Sequence, residues 1–135
     1  MSDRVRRARN DEIISKSSPQ SVDECVSKFT ELVGSHDLTV FVVIDHSGEA
    51  RQHGLSLRET KLVIFGSPEA GTPVMVAEPL AALDLPLKVL IWDNDGVTTI
   101  SYLSPTALAD RYHLDVSLAS NLAGIGALID ALLAE

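Results

Sequence analysis

The sequence predicts an α+β fold: a two-layer sandwich in which helices pack on a mainly antiparallel sheet of four to five strands. Three observations lead there. Short runs of β-branched and aromatic residues alternate with segments whose apolar residues recur at helical spacing. An Asp-Gly pair sits between two of the strand-like runs, as in a tight hairpin. No repeat and no Gly/Pro/Ser-rich linker divides the 135 residues, a length typical of one folding unit. With 45% hydrophobic and 22% charged residues, the chain can bury enough apolar surface to offset its conformational entropy. The expected organisation is a flexible basic N-terminus over 1–10 and a single domain over 11–135.

Taken in order, residues 11–17, DEIISKS, form a short strand candidate. A helix follows, because Ser21 and Glu24 have capping-box spacing and Val22, Val26, Phe29 and Val33, with Cys25 and Leu32 beside them, share one stripe up to Gly34. Residues 38–44, LTVFVVI, are a continuous apolar run, read as a central strand buried on both faces. Ser47 can then cap a short helix that ends at Gly54. Residues 61–65, KLVIF, are the next strand and run into the loop GSPEAGTP, after which Thr72 and Pro73 suit the cap and first turn of a helix restarted at Pro79. Residues 87–92 and 97–103 flank Asp95-Gly96 and make a β-hairpin. Ser104 and Pro105 open a further helix, and one last helix is expected over 117–133, weakened by Gly124 and Gly126.

Charge narrows the range of partners. The net charge is −8. Residues 1–16 hold five basic and three acidic side chains, so six basic and sixteen acidic remain in the body. Such a body repels phosphate backbones and anionic lipid, so neither nucleic acid nor membrane is expected as its partner. Arg4, Arg6, Arg7 and Arg9 can act as a nucleic-acid arm, but a solvated, frayed terminus explains them equally. No run of about 20 apolar residues and no secretory segment is evident, so a cytoplasmic protein is expected. The lone Cys25 excludes an intrachain disulfide and any multi-cysteine metal site.

Several stretches, VFVVIDHSGEARQHG at 40–54, KLVIFGSPEAGTPVM at 61–75, LPLKVLIWDNDG at 85–96 and SYL at 101–103, resemble the domain-of-unknown-function 302 family, the TT1751-like fold. The resemblance implies a compact α/β sandwich, often a dimer, and brings no activity, substrate or cofactor. It marks Asp45, His46, Gly54, Phe65, Gly66, Pro68, Gly71, Thr72, Pro86, Lys88 and Tyr102 as family-typical positions.

The candidate ligand-binding residues are Asp45, His46, Gly66, Ser67, Gly71, Thr72, Lys88 and Tyr102. Asp45 and His46 leave a strand end, where α/β proteins place polar groups, although Asp45 capping the next helix accounts for them as well. The Gly66–Thr72 loop joins strand to helix and can offer backbone N–H groups to an anion, but it lacks a Walker lysine, and its glycines also suit a tight turn. His36, His46, His53 and His113 have no metal-motif spacing, so no metal site is expected. Lys88 and Tyr102 can present an ammonium and a phenol to one region, or Lys88 can simply guard a strand edge.

Three readings follow. The first is a dimeric, non-enzymatic module that holds a small ligand, an anion among the candidates, between the Asp45–His46 strand end and the glycine loop. The second is an enzyme with His46 as general base and Tyr102 or Lys88 as electrophilic partner. The third is a protein-interaction module without a ligand. The first two require the imidazole and the glycine bend to meet around one hollow.

Overall fold

The computed structural model describes residues 12–134; the expected basic segment over 1–10 lies outside them. The elements, in chain order, are strand β1 (Ile13–Ser18), helix α1 (Val22–Ser35), strand β2 (Thr39–Asp45), helix α2 (His46–Gln52) and strand β3 (Thr60–Gly66). Helix α3 (Pro68–Ala77) and a 3₁₀ turn (Pro79–Leu83) lead into the hairpin of β4 (Leu87–Asn94) and β5 (Val97–Leu103). Helices α4 (Pro105–Arg111), α5 (Val116–Ser120) and α6 (Ile125–Ala134) complete the described chain. The five strands form one antiparallel sheet in the order β1-β5-β4-β3-β2, so the α+β fold class is as expected.

Strand alternation sends one set of side chains toward α1 and α6. Val63, Phe65, Val89, Ile91, Ile100 and Tyr102 from the sheet meet Val22, Cys25, Phe29 and Val33 of α1 and Ile125, Leu128, Ile129 and Leu132 of α6. At its centre, the Phe29 and Phe65 rings pack edge to face, with centroids 5.1 Å apart. Cys25 belongs to this core and its thiol donates to Ser18 Oγ at 3.2 Å. A second, smaller core closes one end of the sheet, where Val74, Ala81, Leu108 and Leu122 pack with Leu85, Leu87 and Leu103.

Local chemistry explains most of the boundaries. Ser21 accepts the N–H of Glu24 and caps α1; Ser104 caps α4 and Asp115 caps α5 in the same way. The hairpin turns through Asp95 and Gly96, both at positive φ, 51° and 93°. His36 and His53 each stand at the C-terminal cap of a helix.

Four expectations are corrected. The apolar run of β2 is an edge strand, not a central one: Phe41, Val42 and Val43 are exposed, and the middle position belongs to β4. A continuous apolar run signals burial only if neighbours cover both faces, and β2 has a partner on one side only. Helix α3 starts at Pro68 under a Ser67 cap, not at Thr72, so the supposed loop is its first turn and Pro73 falls inside the helix. Gly66 and Gly71 have no positive φ. Finally, the single last helix is two, broken by a turn over 121–124 that carries Gly124. Against the expectation of no such run, residues Val116–Ala134 reach the length and apolarity of a membrane span; here α6 lays four of its residues on the sheet.

Candidate functional site

The Asp45–Ser47 corner is a structural joint. Asp45 accepts the backbone N–H of Gly48 and the hydroxyl of Ser47, both at 2.9 Å, which caps α2. These two bonds hold its carboxyl below the ordinary value, aided by Lys61. Ser47 is fully buried and its oxygen also accepts the Thr60 N–H, so the side chain ties the helix start to β3. A Cβ at residue 48 would collide with the Asp45 carboxylate, which explains the glycine there. His46 is exposed, and its ring makes no hydrogen bond among the described residues.

The sheet register separates this corner from the glycine segment. Asp45 pairs with Lys61 and Thr39 with Gly66, so the two segments stand at opposite ends of β3, about 17 Å apart at 3.3 Å per residue. The hollow beside Gly66 has neither Asp45 nor His46 in its wall. Lys88 and Tyr102 meet at a different hollow, of about 290 Å³. The strand pleat sends the Tyr102 phenol to the helix side, beside Gly126, while Lys88 is on the other face and donates to the Pro86 carbonyl. The hollow that Lys88 and Tyr102 border does not have His46 in its wall.

What the fold does build is a mostly apolar hollow of about 200 Å³ at the start of α3. Gly66, Ser67, Gly71, Thr72 and Met75 form one wall, Leu85, Pro86 and Leu87 a second, and Phe41, Asn121 and Leu122 close it. Phe41 reaches it because β2 carries a bulge: Val40 pairs with Phe65 and Val42 with Ile64, so Phe41 is the unpaired extra residue. A Cβ on Gly66 would lie 3.7 Å from Pro86 and 3.8 Å from the Phe41 ring, in the narrow space between them. Asn121 Nδ2 donates to the Ala70 carbonyl at 3.1 Å and ties the turn after α5 to α3. Four sequence candidates, Gly66, Ser67, Gly71 and Thr72, line this hollow. Phe41, Pro86 and Leu122 were missed as site residues; the only sequence signal for Phe41 was an aromatic in the middle of an apolar run.

The helix start offers an anion little. Pro68 has no N–H, and the N–H groups of Ala70 and Gly71 donate to Ser67. Glu69 adds a negative charge in the same turn. Among the described residues no three His, Cys, Asp or Glu side chains are placed to share a metal ion.

A family model described as domain of unknown function DUF302 matches residues 14–132. The chain belongs to the DUF302 family. The DUF302 fold is also that of a solved structure, an uncharacterized conserved DUF302 protein from Bacillus stearothermophilus: TM-score 0.77, 18% identity, covering 91% of this chain and 96% of that one. Among curated relatives, the fluoride-specific ion channel FluC 1 of Brucella suis is 33% identical over 119 residues, 84% of this chain and 47% of the relative. The fluoride-specific ion channel FluC 2 of Brucella melitensis is likewise 33% identical, over 44% of its length. The DUF302 chain thus spans less than half of these relatives, whose name describes the whole of each.

Proposed function

We propose that this DUF302 domain is a non-enzymatic binding module whose ligand occupies the hollow between Phe41, Gly66, Gly71, Pro86 and Leu122. One observation carries the reading. The hollow is a mostly apolar space whose polar lining side chains are Ser67, Thr72 and Asn121, with no carboxylate, imidazole, amine or thiol among its lining residues. Its volume of about 200 Å³ slightly exceeds that of a cavity that takes up benzene, so the favoured ligand is a small apolar body with one polar end. An anionic ligand is the weaker version, because Pro68 has no N–H, those of Ala70 and Gly71 are engaged by Ser67, and Glu69 adds a negative charge.

A thermal-shift series of benzene, phenol and benzoate tests this. Phenol should stabilise most and benzoate least, with each shift growing with concentration by mass action. Gly71→Leu should fill the hollow and abolish the shifts without lowering the melting temperature of the free protein, since leucine is the better helix former. Shifts that survive in Gly71→Leu, or that require His46, would overturn the reading.

The curated relatives favour a second reading, in which the domain is a companion to a fluoride-specific channel and acts by contact rather than by binding the ion. The observation is that the matched region makes up only 47% of the Brucella suis relative. Fluoride efflux from vesicles carrying the remainder of that relative should change when this chain is added; an unchanged rate removes the reading.

A further inference from the structure

We propose that the ligand hollow at the start of α3 is one half of a longer site, which continues past Asn121 into a second hollow that reaches His36. The inference rests on the ligand reading and adds the length of the ligand and the chemistry of its far end. The second hollow, of about 300 Å³, is bounded by the end of α1, the turn over 121–124 and α6. Five residues, Gly66, Ser67, Ala70, Leu87 and Asn121, belong to the walls of both hollows, so the two are contiguous. The partition between them is narrow. It carries the hydrogen bond from Asn121 Nδ2 to the Ala70 carbonyl, and both of its ends are shared wall residues. That bond is exposed, so water can replace it at small cost when a ligand parts it.

Size favours a joint site. Ligand sites span about 300–1,000 Å³, and the first hollow, at about 200 Å³, falls short of that range. Volumes of about 200 and about 300 Å³ combine to about 500 Å³, well inside it. Beyond the partition the lining is again largely apolar, since Phe65, Ile125 and Leu128 are residues of the main core, and a body extended there leaves water. The far end sets the chemistry. His36 lines the second hollow, and its Nδ1 lies 2.8 Å from the Leu32 carbonyl oxygen. A carbonyl only accepts, so Nδ1 carries the hydrogen of that bond and Nε2 is the ring nitrogen left for a ligand. Nε2 has no hydrogen bond among the described residues. No Asp, Glu, Lys or Arg among the described residues lines either hollow. The class that fits is an uncharged, elongated alcohol: an apolar body two rings long, with a terminal hydroxyl that donates to Nε2.

Calorimetric titration of the full chain with phenol and with 4-phenylphenol tests this. The second ring should tighten binding at least about tenfold, as burial of an aromatic ring in a second apolar space requires. Ala127→Phe places a ring in the second hollow, so it should erase that advantage and leave phenol unchanged. Gly124→Phe does the same if Ala127→Phe does not fold, because a Cβ there meets nothing within 4 Å. Asn121→Ala removes the partition and should favour 4-phenylphenol further over phenol. His36→Leu should weaken 4-phenylphenol but not 4-methylbiphenyl, which has no hydroxyl. Val116→Phe, at an exposed position elsewhere, should change none of these affinities. Equal affinity for the two phenols, or an advantage that survives both Ala127→Phe and Gly124→Phe, overturns the extended site and leaves the ligand reading standing. Binding of neither phenol, or phenol binding that Gly71→Leu leaves intact, overturns the ligand reading and this inference with it.

Discussion

Replacing Ser47 by alanine tests whether the Asp45–Ser47 corner is a structural joint. The side chain is fully buried, donates to Asp45 Oδ1 at 2.9 Å and accepts the Thr60 N–H at 3.2 Å. Alanine leaves almost no cavity, so the cost comes from hydrogen bonding: one lost bond and one backbone donor with no replacement acceptor. At about 1 kcal/mol each this amounts to about 2 kcal/mol. For a domain of this size, 1 kcal/mol corresponds to a melting-temperature change of about 4 °C, so the expected fall is about 8 °C by circular dichroism. His46→Ala, one residue away but exposed and unbonded, should stay within about 0.5 kcal/mol of the natural chain. A Ser47→Ala fall of less than about 2 °C, or an equal fall in His46→Ala, would refute the view that the hydroxyl pins α2 to β3.

Three further outcomes are expected. Phe29→Ala removes a side chain with no exposed surface and its edge-to-face contact with Phe65, so urea unfolding should register a loss of about 3–5 kcal/mol; a loss near 1 kcal/mol would mean that the core collapses around the gap. Burial pushes the Asp84 carboxyl up, but hydrogen bonds from Tyr112 and Arg111 outweigh it and hold the group below the ordinary value of 3.8. Folding thus favours the ionised form, whose contribution is complete above about pH 4 and disappears as pH falls through the lowered value. The stability gap between the natural chain and Asp84→Asn at pH 7 should shrink at pH 3, and a gap that stays constant contradicts this account. Asn121→Ala deletes an exposed bond to the Ala70 carbonyl, so it should cost less than about 1 kcal/mol yet speed amide exchange in α3; unchanged exchange would show that the bond does not hold the helix.

Patterns that depend on neighbours in sequence were legible before any fold was known. The stripe of Val22, Cys25, Phe29 and Val33, the capping serines 21 and 104 and the Asp95-Gly96 turn each express a local preference of the backbone, and each is present as read. The break in the last helix was signalled by Gly124 but was judged tolerable. A lone glycine costs only about 1 kcal/mol, and the tertiary bond of Asn121 to α3 was not visible in the sequence.

The candidate site divides in the same way. Gly66, Ser67, Gly71 and Thr72 could be named because they are contiguous, whereas Phe41, Pro86 and Leu122 join them only when three distant segments fold together. By itself, the sequence determined the α+β class, the starts of α1 and α4, the hairpin and the acidic character, since propensity, capping and charge act over a few residues. Strand order, the exposed edge position of β2, the bulge that sets Phe41 beside Gly66 and the distance between Asp45 and Gly66 were decided by pairing across the sheet. A hydrogen-bonded ladder joins residues remote in the chain, and its register follows from the packing of all five strands at once.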